Sequence, residues 1–286
     1  MSYFFGAHLS IAGGYHMALD RLSAIGGNAL QIFSASPRGW NTASITDEHK
    51  KIFLEKKKRL NIGPVFFHAS YLVNFADSDR IADNSKKSLI AEMTVAAELG
   101  IVGSIVHLGS FKKTPPSLFD VASESGYKTL IENIRFVLDH TPKSVYFIIE
   151  NAGNNKIGKS IAEIAAIIRD VQSDRIRVCL DTCHLYSAGY DLGTPDKLNS
   201  FLREFDSVIG LDKVIVIHAN DSRDPFGSGR DRHENIGQGT LSVRPFELLV
   251  RDSRTKHLPF IIETPGFDGN GPDKKNLDIL KSLVKV

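Results

Sequence analysis

Short apolar runs alternate with helical periodicity along the whole chain. The runs at 3–8, 28–33, 64–68, 103–107, 144–150, 176–181, 213–218 and 259–263 are mostly rich in Val, Ile and Phe and lack a clean two-residue alternation. That pattern predicts strands buried on both faces of a parallel sheet. Segments 12–25, 47–60, 83–99, 123–138, 160–168, 198–209, 243–250 and 274–283 repeat apolar residues three and four apart, as Ile161, Ile164, Ala165 and Ile168 do. These predict amphipathic helices, and Gly100 after Leu99 marks a helix C-cap. Eight strand–helix pairs predict an α/β fold of the (β/α)8 TIM-barrel type. No Gly/Pro/Ser-rich linker divides the chain, so residues 1–286 are expected to form one domain. The longest non-helical segments, 34–46, 108–121, 219–240 and 265–273, all follow strands. Loops at that end build the active site of such a barrel.

Composition narrows the class. The chain has 286 residues, 42% hydrophobic and 24% charged, with a formal charge of +2, which is ordinary globular composition. Two cysteines exclude a disulfide-framed scaffold. No run approaches the ~18 apolar residues of a membrane span, so no membrane association is expected. The start, MSYFFGAHLSIAGG, has no basic leader before a long apolar run, and a cytoplasmic location is expected. Without a polybasic tail, any nucleic-acid binding must use a local field.

The predicted strand ends carry the chemistry. Strands three to eight end in His68, His107, Glu150, Asp181, His218 and Glu263. Structural use alone predicts Val, Ile or Leu there. In a barrel these ends converge on one face, and all six residues can bind a transition metal. His184 follows Asp181 by three residues in CLDTCH, and Asp231 and His233 lie two apart in GRDRHENIG. An extended backbone points Asp231 and His233 the same way and Arg232 oppositely. The five histidines and four carboxylates favour zinc, manganese or iron over an iron–sulfur cluster. At about three or four protein ligands per ion, they imply two or three ions with a bridging carboxylate. Three divalent cations would outweigh the four carboxylates, so the site attracts an anion such as a phosphodiester.

The ordered motifs GAHLSIAGG (6–14), HASYLVN (68–74), VCLDTCH (178–184), HANDSRDPFGSGRDRHENIGQG (218–239) and IIETPG (261–266) span nearly the whole chain. Together they resemble the endonuclease IV family of apurinic/apyrimidinic endonucleases. The resemblance implies a trinuclear zinc site, with manganese an option at one position. His68, His107 and Glu150 would hold the first ion. Glu150 would bridge to a second, which also takes Asp181, His218 and Glu263. His184, Asp231 and His233 would hold the third. The implied reaction is hydrolysis of the phosphodiester 5′ to an abasic site by a zinc-activated hydroxide. It leaves a 3′-hydroxyl and a 5′-deoxyribose phosphate, with 3′-phosphatase and 3′-phosphodiesterase activity alongside. Glu150 and Glu263 would handle protons as catalytic groups.

The implied partner is double-stranded DNA with abasic sites or blocked 3′ ends. A monomer with no obligate protein partner is expected. An abasic nucleotide costs less to extrude than an intact one, and wedges refill the vacated stack. By resemblance the wedges are Arg38 and the Tyr71–Leu72 pair. Arg223, Arg230 and Arg232 are candidate phosphate contacts. The basic run at 50–59 reads as a solvated outer helix, and Cys179 as a small buried hydrophobe inside the barrel. His8 is expected beside the cluster, either supporting its ligands or contacting DNA, and Asn151, Asn220 and Asp221 are placed to orient ligands. The competing reading is a divalent-metal sugar isomerase or epimerase on the same barrel type. The third ligand set and the Tyr71–Leu72 pair argue against it. A non-catalytic damaged-DNA binder would leave nine ligand-type residues without a use.

Overall fold

A computed structural model of the chain describes residues 3–111, 125–153 and 156–284. Eight parallel strands close into a barrel: β1 (Phe4–His8), β2 (Ala29–Phe33), β3 (Val65–His68), β4 (Gly103–Val106), β5 (Tyr146–Glu150), β6 (Ile176–Asp181), β7 (Val214–His218) and β10 (Pro259–Ile262). Neighbours pair in chain order, and β10 closes on β1 with Ala7 opposite Ile262. The described helices are α1 (Tyr15–Ala24), α2 (Asp47–Arg59), α3 (Arg80–Leu99), α4 (Ser125–Asp139), α5 (Ile161–Val171), α6 (Thr182–Ala188), α7 (Pro195–Val208), α8 (Arg244–Arg251) and α9 (Lys274–Ser282).

The strands lack alternation because both faces are covered. Ala29, Phe66, Ile105, Ile148, Cys179, Val216 and Ile261 fill the barrel interior in one cluster. A larger cluster, including Leu30, Phe67, Phe147 and Phe260, joins the outer strand faces to the helices. Gly6 in β1 is required sterically, since a Cβ there would sit 1.7 Å from the Ala29 carbonyl oxygen.

Capping sets the helix limits. The Asp79 side chain accepts from Ile81 N at 2.8 Å, so α3 begins three residues before the expected start. It ends at Gly100 in the left-handed conformation, φ 61°. Asp47 and Glu48 open α2, and Lys56, Lys57, Lys58 and Arg59 close it, matching the helix dipole. Only Phe53 of this helix is buried, which makes it the solvated outer helix expected for the basic run.

Two local differences from the sequence reading lie beside the strand ends. Helix α6 follows β6 without a loop. Its seven residues are too few for a periodic signal, and its N-cap is Asp181 itself. The segment 219–240 holds a two-residue antiparallel ladder, β8 (Asp221–Ser222) with β9 (His233–Glu234), pairing Ser222 with His233. Most of the expected loop at 108–121 and the first two residues of the expected helix at 123–138 lie outside the described residues. Among the described residues, no helix is long and apolar enough to cross a membrane.

Candidate metal centre

The C-terminal strand ends form a cleft of about 330 Å³ bordered by His8, Phe33, His68, Tyr71, His107, His184, Asp231, His233 and Glu263. Glu150, at the end of β5, lies beneath it and is fully buried. Its two oxygens face different histidines. Oε2 lies 3.1 Å from His68 Nε2 and 3.2 Å from His107 Nε2. Oε1 lies 2.9 Å from His218 Nδ1 and 3.4 Å from His184 Nδ1.

Asp181 and His184 are joined by the turn between them. As N-cap of α6, Asp181 accepts from His184 N at 2.8 Å, which brings the imidazole back over the barrel mouth. The opposite side of His184 meets the ladder segment: His184 Nε2 is 2.8 Å from Asp231 Oδ1, and His233 Nε2 is 3.5 Å from the same oxygen. Arg232 points away, as the residue alternation predicts, and its Nε donates to Asp224 Oδ2 at 2.6 Å. A second Arg232–Asp224 contact completes the ion pair.

Donor atoms fall into groups whose members lie within 4.8 Å of one another. One contains His68, His107 and Glu150; another contains Glu150, Asp181, His218 and Glu263. His184 joins His107 and Asp231 in one group, and Asp181 and His233 in another. Cys179 also groups with Glu150 and His218. Its thiol is pushed up to about 12 by burial, which makes it a poor source of thiolate.

Several buried ring nitrogens, His107 Nδ1, His184 Nε2 and His233 Nε2, have no hydrogen-bond partner among the described residues. His184 Nε2 is close to Asp231, but the geometry is not that of a hydrogen bond. Unpartnered imidazole nitrogens among carboxylates fit a bound cation. The electrostatics agree. Burial would lower His184, yet Asp181 and Asp231 hold it well above the usual histidine range. Burial would likewise raise Glu150, yet His218 and His184 against its Oε1 hold it well below the carboxylate range. Burial brings His107 down to about 3, leaving a neutral imidazole.

Asparagines brace the carboxylates. Asn220 Nδ2 donates to Asp181 Oδ2 at 2.7 Å, and its Oδ1 accepts from Glu263 N at 2.7 Å. Asn151 Oδ1 accepts from Asp181 N at 2.7 Å, and its carbonyl lies 2.9 Å from His184 Nδ1. Asp221 instead gathers the backbone of the following loop, accepting from Gly237, Gly239 and Leu241 N. His8 Nδ1 lies 3.0 Å from Glu263 Oε1. Gln31, absent from the sequence reading, is buried among these groups, and its Nε2 donates to Glu263 Oε1 at 2.6 Å. Its signal was one polar residue inside the apolar run ALQIF.

Beside the cleft, Tyr71 is 64% exposed and Leu72 38% exposed. The Tyr71 ring meets Phe33 edge-on at 5.3 Å. Arg38 is exposed on the adjoining loop, whereas Trp40 is half-buried. Beyond Tyr71 lies a second cleft of about 310 Å³, bordered by Leu72, Asn74, Ser110 and Lys156. The Arg230 side chain is 66% exposed, with Nη1 3.5 Å from Asp224 Oδ1.

The closed barrel and its mouth of clustered histidines and carboxylates define a metal-dependent enzyme of the xylose isomerase-like TIM-barrel class, whose family model matches residues 19–283. "Probable endonuclease 4" of Persephonella marina is 35% identical over 285 residues, covering 98% of this chain and 97% of that protein. The crystal structure of endonuclease IV from Thermus thermophilus matches with a TM-score of 0.84 and 31% identity, covering 98% of each chain. The chain belongs to the endonuclease IV family. A D-tagatose 3-epimerase-like protein matches with a TM-score of 0.71, covering 98% of this chain and 97% of that one. At 19% identity it shares the fold alone.

Proposed function

We propose that the chain is an AP endonuclease, one catalytic domain that cuts the phosphodiester 5′ to abasic sites in double-stranded DNA. Cleavage leaves a 3′-hydroxyl and a 5′-deoxyribose phosphate. The same chemistry would clear phosphates and sugar fragments from blocked 3′ ends. The observation that carries this reading is the division of Glu150, whose two oxygens face His68 and His107 on one side and His218 and His184 on the other. A carboxylate so placed suits a bridge between two cations.

The proposed cofactor is three zinc ions, with manganese an option at one position. His68, His107 and Glu150 would hold one ion. Glu150, Asp181, His218 and Glu263 would hold another, and His184, Asp231 and His233 the third. Bound ions would supply hydroxide near neutral pH and offset charge on the phosphoryl oxygens.

The chain's own groups do the rest. Water adds to phosphorus, the bond to the 3′ oxygen breaks, and a proton passes to that oxygen. Glu150 is within reach of the site for orienting the water. Glu263, held by Asn220, Gln31 and His8, is the second proton-handling carboxylate. Tyr71, which borders the cleft, and the exposed Leu72 and Arg38 on the loops after β3 and β2 would fill the stack beside an extruded abasic sugar. Arg230 is exposed for a phosphate contact.

The test uses dialysed protein, no added magnesium and a duplex with one tetrahydrofuran abasic analogue. A single incision 5′ to the analogue with a 3′-hydroxyl end is expected. Glu150→Gln should reduce the rate at least about 100-fold. No incision, or equal cutting of undamaged duplex, would overturn the proposal.

A further inference from the structure

Gln31 lies on the inner face of β2 and is fully buried. Its side-chain nitrogen donates to Glu263 Oε1 at 2.6 Å and lies 2.8 Å from His8 Nδ1. Its side-chain oxygen lies 2.6 Å from His218 Nε2. Chemistry fixes the orientation of this amide. A carboxylate accepts hydrogen bonds and donates none, so the NH2 end must face Glu263. The carbonyl end must then face His218, and the imidazole nitrogen opposite it must carry the proton.

A neutral imidazole has one N–H. With that proton on Nε2, the Nδ1 lone pair of His218 points at Glu150 Oε1 (2.9 Å), Glu263 Oε2 (3.4 Å) and Asp181 Oδ2 (3.8 Å). A lone pair directed at three carboxylate oxygens is repulsive unless a metal ion lies among them or the ring takes a second proton, and a bound ion displaces that proton. His218, Glu150 and Asp181 are all fully buried, away from bulk solvent.

We propose that Gln31 is a positioning residue that sets His218 in its Nε2–H tautomer, so that Nδ1 becomes the metal donor, while the same amide anchors Glu263 against the barrel wall. One side chain thereby orients two ligands of one ion, contributed by two strands that are neighbours in the barrel. Its role is tied to this ion, because neither amide group contacts His68, His107, His184, Asp231 or His233 in the described hydrogen-bond network. This inference rests on the metal-centre reading under Proposed function, and it does not depend on DNA cleavage.

The test begins with the unmodified protein, labelled with 15N at histidine, in long-range 15N–1H spectra with zinc bound. A retained, exchange-protected proton on His218 Nε2 and a metal-shifted Nδ1 are expected. A proton on Nδ1 with Nε2 on the metal would overturn the inference while leaving the metal centre intact. Failure to bind zinc at all would overturn both. Variants add a ranking. Gln31→Met keeps the length and removes both hydrogen bonds, and should weaken zinc about 10- to 100-fold in chelator competition. Gln31→Glu keeps the acceptor for His218 and should hold zinc more tightly than Gln31→Met. A residue needed only for packing would give the opposite order, since Met suits an apolar interior better than a carboxylate does. That opposite order would overturn the inference.

Discussion

Ser70 Oγ donates to the Pro37 carbonyl oxygen across 2.8 Å, tying the loop after β3 to the loop after β2. The same Ser70 oxygen accepts from Leu72 N at 3.2 Å. One hydroxyl therefore braces both loops that present the proposed DNA wedges, Arg38 on one and Tyr71–Leu72 on the other. Ser70→Ala should lose about 1 kcal/mol of that bracing, seen as roughly fivefold weaker binding to an abasic duplex with zinc content unchanged. Tyr71→Ala and Arg38→Ala should weaken lesion binding further, again without metal loss. Fluorescence anisotropy paired with metal analysis separates these effects.

Asp224 holds the Arg232 guanidinium through two contacts, which raise the arginine and lower the carboxyl from their ordinary values. An arginine already paired neutralises little phosphate charge. Arg230 meets the same carboxylate through one longer contact of 3.5 Å and is more exposed, so Arg230→Ala is expected to reduce the salt dependence of DNA binding by up to about one charge. Arg232→Ala should change it by less. Binding isotherms across a series of salt concentrations give the two slopes.

Glu92, on α3, is buried and accepts hydrogen bonds from the Ser34 and Ser104 hydroxyls. Burial raises its carboxyl to about 7, against the opposing effect of those two hydroxyls. A raised folded value means the folded protein binds this proton more tightly than the unfolded chain. The stabilisation is complete below the unfolded carboxylate range and is lost as pH rises through about 7. Relative to Glu92→Gln, the protein should lose on the order of 2 kcal/mol between pH 5 and pH 8. Urea titrations of both proteins across that range test the sign and size.

Ile148 lies two residues before Glu150 on β5 and fills the barrel interior with Phe66, Ile105 and Val216. Ile148→Ala should destabilise the fold by about 2–5 kcal/mol. The expected readout is a lower denaturation midpoint, with zinc retained at low temperature if the barrel stays closed.

The barrel was legible because strands covered on both faces read as nearly unbroken apolar runs, and because the runs read as strands three to eight all end in His, Asp or Glu. The spacing of Asp231 and His233 also conveyed that Arg232 would point away. Helix α6 was not legible, since a seven-residue helix capped by the last residue of a strand has no periodic stretch of its own. The β8–β9 ladder was hidden for a related reason: two residues per strand show no alternation. The role of Gln31 was not legible because it depends on Glu263 and His218, which are far away in sequence. Arg232's partner likewise could not be read from charge alone, because Asp224 meets it only when the loop folds back.

The most direct measurement is zinc per chain in protein dialysed against metal-free buffer, compared with Glu150→Gln treated in parallel. About three ions are expected in the unmodified protein. Glu150→Gln should retain about one, because the lost carboxylate serves two of the proposed sites. One ion or none in the unmodified protein, or an unchanged content in Glu150→Gln, would contradict a metal cluster bridged by Glu150.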